Sequence, residues 1–153
     1  MTISNEADHY QYAWDAENQS MWHGEGALRD MQRSVEQLGE AVIGHRIVKV
    51  ERSKGDWWVS GRLNITLDNG KRVSMEWVSS DCCAYTELEK FLFNVDHVDH
   101  VITGVKTEGV YSTWHIYADM GDVLQLDVDW GEGNYGYYAF GFNVKVQDEA
   151  GQE

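Results

Sequence analysis

The stretch between residues 28 and 42 has the hydrophobic pattern of an amphipathic helix. Its apolar side chains are three or four positions apart: Leu28, Met31, Val35, Leu38 and Val42. This spacing places them on one face of a helix, and Gly39 or Gly44 is expected to end it, because glycine favours the position after a helix C-terminus. We expect this helix to cover one face of a sheet.

Beyond residue 42 the pattern changes to the alternation of half-buried strands. Residues 47–52, 63–67 and 72–77 are predicted strands. The last two are joined by residues 68–70, and the length of that loop decides which side chains share a face. A two-residue loop would place apolar side chains opposite polar ones. A three-residue turn that includes Gly70 in a bulge pairs apolar with apolar residues: Ile65 with Val73 and Leu63 with Met75.

The C-terminal half repeats this hairpin design. Residues 114–118 and 124–130 alternate around a loop at 119–121, and residues 101–107 predict a further strand before them. A last strand, residues 138–146, is expected to return against residues 124–130. The resulting pairs are apolar: Trp114 with Leu126, Ile116 with Leu124, Phe140 with Val128 and Phe142 with Leu126.

Between the hairpins, residues 86–94 predict a short second helix, because Thr86 and Glu89 fit a capping box. The expected fold is therefore α+β: one domain with a mostly antiparallel sheet of six or seven strands, built from hairpins, and two helices. We place this domain at residues 27–147. Residues 1–26 predict an acidic arm that carries aromatic side chains, and residues 148–153 a polar tail.

Charge is the most unusual feature of the composition. The 153 residues include 12 Lys and Arg and 26 Asp and Glu, for a net charge of −14, and from Asp119 to Val144 there is no basic residue. Such a field repels phosphates, so direct nucleic-acid binding is not expected. It favours either simple solubility, a partner with a basic surface, or a bound cation.

The expected compartment is a reducing cytoplasm. No apolar run is long enough to span a bilayer, and the first residues do not resemble a secretory leader. The two cysteines, Cys82 and Cys83, are adjacent, a geometry that disfavours a disulfide between them.

One candidate site has the ligand atoms of a zinc centre: Cys82, Cys83, His97 and His100. Their spacing departs from that of known zinc motifs, and adjacent residues in a strand point to opposite faces. The favoured alternative is a small core cysteine beside a solvated loop with two histidines. No cofactor is expected, and zinc is left open.

A second candidate is the outward face of the C-terminal hairpin. In the predicted pairing His115 lies opposite Gln125, Asp127 faces Gly141, and Asn143 lies beside Gln125. The glycine-rich connector that follows lacks the Lys-Ser/Thr of a phosphate-binding loop, and its tyrosines are typical of a contact loop. The candidate binding surface comprises His115, Asp127, Asp129, Glu132, Tyr135, Tyr137 and Asn143. The alternative is an ordinary solvated sheet face.

Three runs carry a family resemblance: Ser80-Asp81-Cys82-Cys83-Ala84, Val101-Ile102-Thr103-Gly104-Val105, and Tyr137-Tyr138 with Gly141-Phe142. In this order they resemble a family of small uncharacterised proteins from tailed phages and actinobacteria, over about residues 40–147. The family has no assigned activity, so the resemblance implies no catalytic residue. It implies a small phage-encoded accessory protein made in a bacterial cytoplasm.

These observations favour a non-enzymatic protein that binds a host or phage protein through an acidic, aromatic-bearing surface. One version is an inhibitor that mimics the charge of nucleic acid. Two alternatives stay open: a metal-binding module or metal-dependent enzyme around the cysteines and histidines named above, and a structural homo-oligomer that joins sheet edges.

Overall fold

A computed structural model of the chain describes residues 25–55, 61–77, 85–131 and 141–148. They form one α-helix, α1 (Glu25–Val42), and a short 3₁₀ turn, η1 (Val95–His97). The strands are β1 (Ile47–Ser53), β2 (Gly61–Leu67), β3 (Arg72–Trp77), β4 (Tyr85–Phe93), β5 (Gly104–Glu108), β6 (Thr113–Ala118), β7 (Gly121–Gly131) and β8 (Asn143–Gln147).

The eight strands form two antiparallel sheets, ordered β1-β2-β3-β8 and β4-β7-β6-β5. The prediction of an α+β fold with a single sheet of six or seven strands and two helices is therefore wrong. Within the described residues the protein is mostly β, with one α-helix. The predicted arm lies outside them up to residue 24, and the tail from residue 149.

The predicted helix is confirmed as α1. Its apolar stripe is buried in a core to which both sheets contribute, and Gly44 follows its end with a φ of +93°. The helix contacts β5 of one sheet and β8 of the other, so it bridges them. No helix in the described part of the chain is long and apolar enough to cross a membrane.

Both predicted hairpin registers are confirmed. Leu63 pairs with Met75 and Ile65 with Val73, around a three-residue turn in which Gly70 has a φ of +88°. In β6 and β7 the predicted pairs also form, Trp114 with Leu126 and Ile116 with Leu124. The β6–β7 turn is one residue shorter than expected, because the register shifts after Ile116.

The prediction of a second helix at 86–94 is wrong, because residues 85–93 form β4. A capping box contributes only about 1 kcal/mol, and an isolated nine-residue helix is marginal in water. As a strand the segment pairs with β7 along nearly its whole length. Thr86 and Leu88 are then fully buried, and the Thr86 hydroxyl accepts a hydrogen bond from the Gly141 amide at 2.9 Å.

The last strand pairs with β3, so the predicted return against residues 124–130 is also wrong. Met75 lies opposite Val144 and Val73 opposite Val146. Both long edges of β7 are already occupied, one by β6 and the other by β4. β7 therefore has no free edge for the chain that follows it, and β8 pairs with β3 in the other sheet instead.

Phe142 fixes the position of β8. The Ser34 hydroxyl of α1 donates to the Phe142 carbonyl at 3.2 Å and accepts from its amide at 2.9 Å. The phenyl ring packs edge-on against Trp114 of β6 and Trp77 of β3, with centroid distances of 5.2 and 6.2 Å. One buried residue thus joins the helix and both sheets.

Arg52 of β1 forms a further link between the sheets. It pairs with Leu63 and so points to the core side of its strand. Its guanidinium donates to the carbonyls of Leu88 and Glu89, where a bulge interrupts the β4 ladder, and lies 5.7 Å from the Trp77 ring. These charge-assisted bonds tie β1 of the first sheet to the bulge in β4 of the second.

Two consecutive residues of the β5–β6 connection adopt left-handed backbone conformations, Val110 at φ +53° and Tyr111 at φ +66°. Such angles are costly for residues other than glycine. The indole N–H of Trp130 donates to the Val110 carbonyl, and that of Trp114 to the Tyr111 carbonyl, both at 2.9 Å. The Tyr111 hydroxyl donates to Gln32 of α1 at 2.7 Å, so core contacts offset the strain.

We predict that Gly141→Ala destabilises the protein more than Gly70→Ala. Both glycines have positive φ, at +64° and +88°, which costs an alanine about 1–2 kcal/mol. A Cβ at Gly141 would also lie 2.6 Å from the Ser34 hydroxyl, whereas one at Gly70 meets nothing within 4 Å. Urea unfolding should show an additional loss of about 1–2 kcal/mol at Gly141, the value of the disturbed hydrogen bonds. Equal losses at the two glycines would contradict the importance of the hydrogen bonds between Ser34 and Phe142.

Asp68 stabilises the β2–β3 turn as a carboxylate. Partial burial opposes its ionisation, but hydrogen bonds from Arg46 and His45, together with the His45 charge, outweigh that effect and hold its pKa below the ordinary 3.8. The distances are 3.3 Å to His45 Nδ1 and 3.4 Å to the Arg46 guanidinium. The contribution of the carboxylate is therefore complete above pH 3.8 and is lost as the pH falls through the lowered pKa.

Asp68→Asn should accordingly destabilise the protein at pH 7, and the difference from the wild type should shrink as the pH falls below the ordinary pKa of 3.8. Asparagine retains the turn preference of aspartate, so the substitution removes mainly the charge. Urea midpoints at neutral and acidic pH measure the two differences. A difference that stays constant with pH would contradict the assignment.

Candidate functional site

The face of the second sheet that points away from the core is acidic. Outward positions in each strand are those that alternate with the buried ones. Five of them are carboxylates: Glu87, Glu108, Asp122, Asp127 and Asp129. Among the described residues Lys90 and Lys106 are the basic side chains on this side. We call this surface the acidic face.

The outward face of the first sheet has the opposite balance. Its described charged side chains are four basic and two acidic: Lys49, Arg62, Arg72, Lys145, Glu51 and Glu76. Glu76 lies 3.5 Å from Arg62 and 3.6 Å from Lys145, so it is shared between two cations. Among the described strands, negative charge is therefore concentrated on the outward face of the second sheet.

Two carboxylates on the acidic face lie directly opposite each other. Glu87 of β4 pairs with Asp129 of β7, and like charges in opposite positions destabilise a sheet. Asp129 accepts a hydrogen bond from Tyr85 at 3.3 Å. Burial and then the Asp129 charge raise the pKa of the Tyr85 phenol. Lys90 does not offset the repulsion between Glu87 and Asp129, because it lies opposite the next carboxylate, Asp127, with 3.6 Å between Nζ and Oδ2.

His115 lies at the centre of the same face with its ring between two carboxylates. Its Nδ1 donates to Asp122 at 2.6 Å, and Glu108 Oε1 lies 3.5 Å from Nε2. The side chain is only 14% exposed, and Nε2 has no hydrogen bond. Lys106 and Gln125 are its cross-strand neighbours. A histidine held by a carboxylate has the arrangement of an acid–base pair, but no nucleophile contacts it among the described residues.

Tyr117 and Gly104 lie next to this cluster on the same face. Tyr117 lies opposite Gly104, whose missing side chain leaves room for the phenol. Burial raises the pKa of Tyr117, and the Lys106 ammonium lies 5.4 Å from its ring. Aromatic rings beside carboxylates suit contact with a cationic side chain, through cation–π attraction as well as charge.

At one end of the sheet, η1 is bound to the β6–β7 turn. The Asn94 amide donates to the Val123 carbonyl at 2.8 Å, and His97 Nδ1 donates to the Asp122 carbonyl at 2.9 Å. His100 Nδ1 contacts Asp119 at 2.9 Å. These contacts hold residues 94–100 against the start of β7.

The structure brings three of the seven predicted surface residues onto the acidic face: His115, Asp127 and Asp129. The predicted pairing of His115 with Gln125 is confirmed. Asn143 lies elsewhere, opposite Glu76 in the first sheet, so its predicted place beside Gln125 is wrong, as is that of Gly141 opposite Asp127. Glu132, Tyr135 and Tyr137 lie outside the described residues.

For the zinc hypothesis, the structure places the two histidines and not the cysteines. His97 and His100 have ring centroids 6.0 Å apart and bind the backbone and side chain of the β6–β7 turn. Cys82 and Cys83 lie outside the described residues. Within the described ranges no three His, Cys, Asp or Glu side chains are grouped as metal ligands.

Sequence reasoning missed three carboxylates of this face: Glu87, Glu108 and Asp122. The capping box at Thr86 places Glu87 in a predicted helix, although its alternation with Thr86 and Leu88 also fits a strand. Asp122 was hidden by the register shift in the β6–β7 hairpin. The preference of aspartate for a turn offered no signal that its side chain would reach His115.

We predict that Glu87→Lys stabilises the protein, whereas Lys90→Glu on the same strand destabilises it. The first replaces a like-charge pair with an ion pair opposite Asp129, and the second replaces the ion pair with Asp127 by a like-charge pair. Each change should amount to about 0.2–1 kcal/mol in urea unfolding at low salt and should shrink at high salt. Changes of the same sign would contradict this register.

Comparison with known proteins agrees with a family of unassigned activity. Searches of curated proteins and of solved structures found no match to this chain. A family model described as a domain of unknown function, DUF7448, matches residues 40–144, which include every described strand except the last residues of β8. The resemblance predicted for residues 40–147 is thus confirmed as membership of an uncharacterised family. On this match over more than half its length, the chain belongs to the DUF7448 family.

Proposed function

We propose that this protein is a non-enzymatic binding protein whose acidic face engages a basic surface of a protein partner. The observation that carries the proposal is the cross-strand pair of Glu87 and Asp129. The pair costs stability in the free protein, and a lysine or arginine placed between the two carboxylates would remove that cost on binding. Such an arrangement is expected where surface charges bind a partner rather than stabilise the fold.

The opposite charge of the two outer faces supports the same function. A surface that merely keeps a protein soluble needs no particular distribution, whereas a one-sided negative field orients and accelerates the approach of a cationic partner. The face also holds Tyr85 and Tyr117, and tyrosine supplies a large contact area at low entropic cost. Phosphates would be repelled from it.

The biological setting is part of this proposal. The motifs around Cys82, Val101 and Tyr137 resemble small proteins of tailed phages and actinobacteria, so we place the protein in a bacterial cytoplasm, with a host or phage protein as its partner. A natural class of basic partner there is a nucleic-acid-binding protein. The acidic face would then occupy that protein's binding surface in place of a polyanion.

The proposal predicts that reversing three charges on the face strongly weakens capture of the partner. The face variant combines Glu87→Lys, Asp127→Lys and Asp129→Lys. The control variant has the same net charge but changes exposed carboxylates elsewhere, Glu36, Glu40 and Glu51, to lysine. Each tagged protein is used to capture proteins from a bacterial lysate at low and moderate salt, with quantification by mass spectrometry.

We expect at least one protein that wild type and control retain and the face variant loses by about tenfold, equivalent to about 1.4 kcal/mol. Its recovery should also fall with salt. Parallel losses in both variants would indicate a net-charge effect, and unchanged recovery would remove the face from the function. Either result would overturn the proposal.

A further inference from the structure

Three strongly exposed large apolar side chains belong to segments that lie at the same end of the second sheet. In the described residues six large hydrophobic side chains are more than two-fifths exposed: Ile43, Val48, Leu92, Val95, Met120 and Val146. Leu92, Val95 and Met120 are the most exposed of them, at 64%, 67% and 62%. We call these three residues the tip. They come from β4, η1 and the β6–β7 turn, respectively.

The segments that carry the tip are bound to one another. Val95 follows Asn94, whose backbone amide donates to Val123 and whose side chain donates to the Asp122 carbonyl at 3.4 Å. Met120 lies in the turn that His97 and His100 contact. These polar contacts fix the backbone of the segments that carry Val95 and Met120 against the start of β7.

The two segments that carry Val95 and Met120 are rich in acidic side chains. The two segments, residues 94–100 and 119–122, contain Asp96, Asp99, Asp119 and Asp122 and no lysine or arginine. The basic side chains that adjoin the tip segments are Lys90, two positions before Leu92, and Arg46, which donates to the Asp99 carbonyl at 2.9 Å. Leu92 lies opposite Gln125, which is the neighbour of His115, so the tip continues directly into the acidic face. A partner that covers the tip must place apolar groups at its centre and cations around them.

We propose that the tip is the docking point for a basic amphipathic segment of the protein partner. Leucine or similar side chains of that segment pack on Leu92, Val95 and Met120, while its lysines or arginines meet Asp96, Asp119 and the acidic face. Methionine suits such a surface, because its unbranched thioether adapts to different apolar neighbours. This inference rests on the proposed function and names the chemistry of the partner.

The test uses two peptides of about 18 residues, or five helical turns, built from leucine and lysine. In one the leucines form a single helical face, and in the other the same residues are scrambled. Both are labelled, and their affinities are measured by fluorescence anisotropy. The protein is tested as wild type, as a tip variant and as a control variant. The tip variant is Leu92→Ser, Val95→Ser and Met120→Ser, and the control is Ile43→Ser, Val48→Ser and Val146→Ser.

Wild type and control should bind the amphipathic peptide about tenfold more tightly than the scrambled one, and the tip variant should bind both equally. Circular dichroism and urea unfolding verify that each variant is folded. Equal affinities of the wild type for both peptides, or discrimination that survives in the tip variant, would overturn the proposal. Sedimentation velocity tests the alternative that a second copy of this chain covers the tip. A wild-type dimer that the tip variant alone disrupts would establish that alternative and overturn the proposal.

The face variant separates this inference from the function on which it depends. If the acidic face is a binding surface but the tip is not a docking point, charge reversal weakens both peptides, and discrimination between them does not depend on the tip. If the acidic face has no role in binding, charge reversal changes the affinity of neither peptide beyond the effect of the equally charged control, and lysate capture is also unchanged.

Discussion

Phe142 is the residue through which the helix and the two sheets hold one another in place. Its backbone exchanges two hydrogen bonds with Ser34 of α1, and its ring lies between Trp77 of the first sheet and Trp114 of the second. Gly141 permits this approach, since any Cβ there would meet the Ser34 hydroxyl. Because these groups are buried, an unmade hydrogen bond would have no water to replace it. The position of the chain at Phe142 is therefore tightly determined.

The route of the chain at this junction also determines the charge of the two surfaces. After Phe142, β8 joins the first sheet, and it takes Lys145 to a face that is already basic. The edge of β7 is occupied by β4, which places Glu87 opposite Asp129. Had β8 paired with β7 instead, the lysine would have entered the acidic strand pair and Glu87 would have been elsewhere. The acidic face is thus a product of strand order as much as of composition.

The parts of the fold that follow from local pattern were predictable. The spacing of Leu28 and Met31 with the later apolar residues defines α1, and matching of apolar side chains across a short loop defines both hairpin registers. These features depend on residues that are close together in the sequence, where few alternative pairings compete. The predicted helix at 86–94 failed because a capping pattern is a weak local preference, and pairing with the distant β7 outweighed it. The predicted partner of β8 was wrong because the distant β4 occupies the edge of β7 that β8 was expected to join.

The candidate site was likewise predictable only in part. From the sequence alone came the acidic balance, the outward positions of His115 and Asp127, and the family resemblance. The tertiary structure alone decided that Glu108 and Asp122 flank the His115 ring, that Glu87 faces Asp129, and that Leu92, Val95 and Met120 share one end of a sheet. Alternation along a strand indicates which side chains point outward, but it does not indicate which strands are neighbours. That choice depends on burial and on hydrogen bonds between residues far apart in the chain, where no short pattern records the outcome.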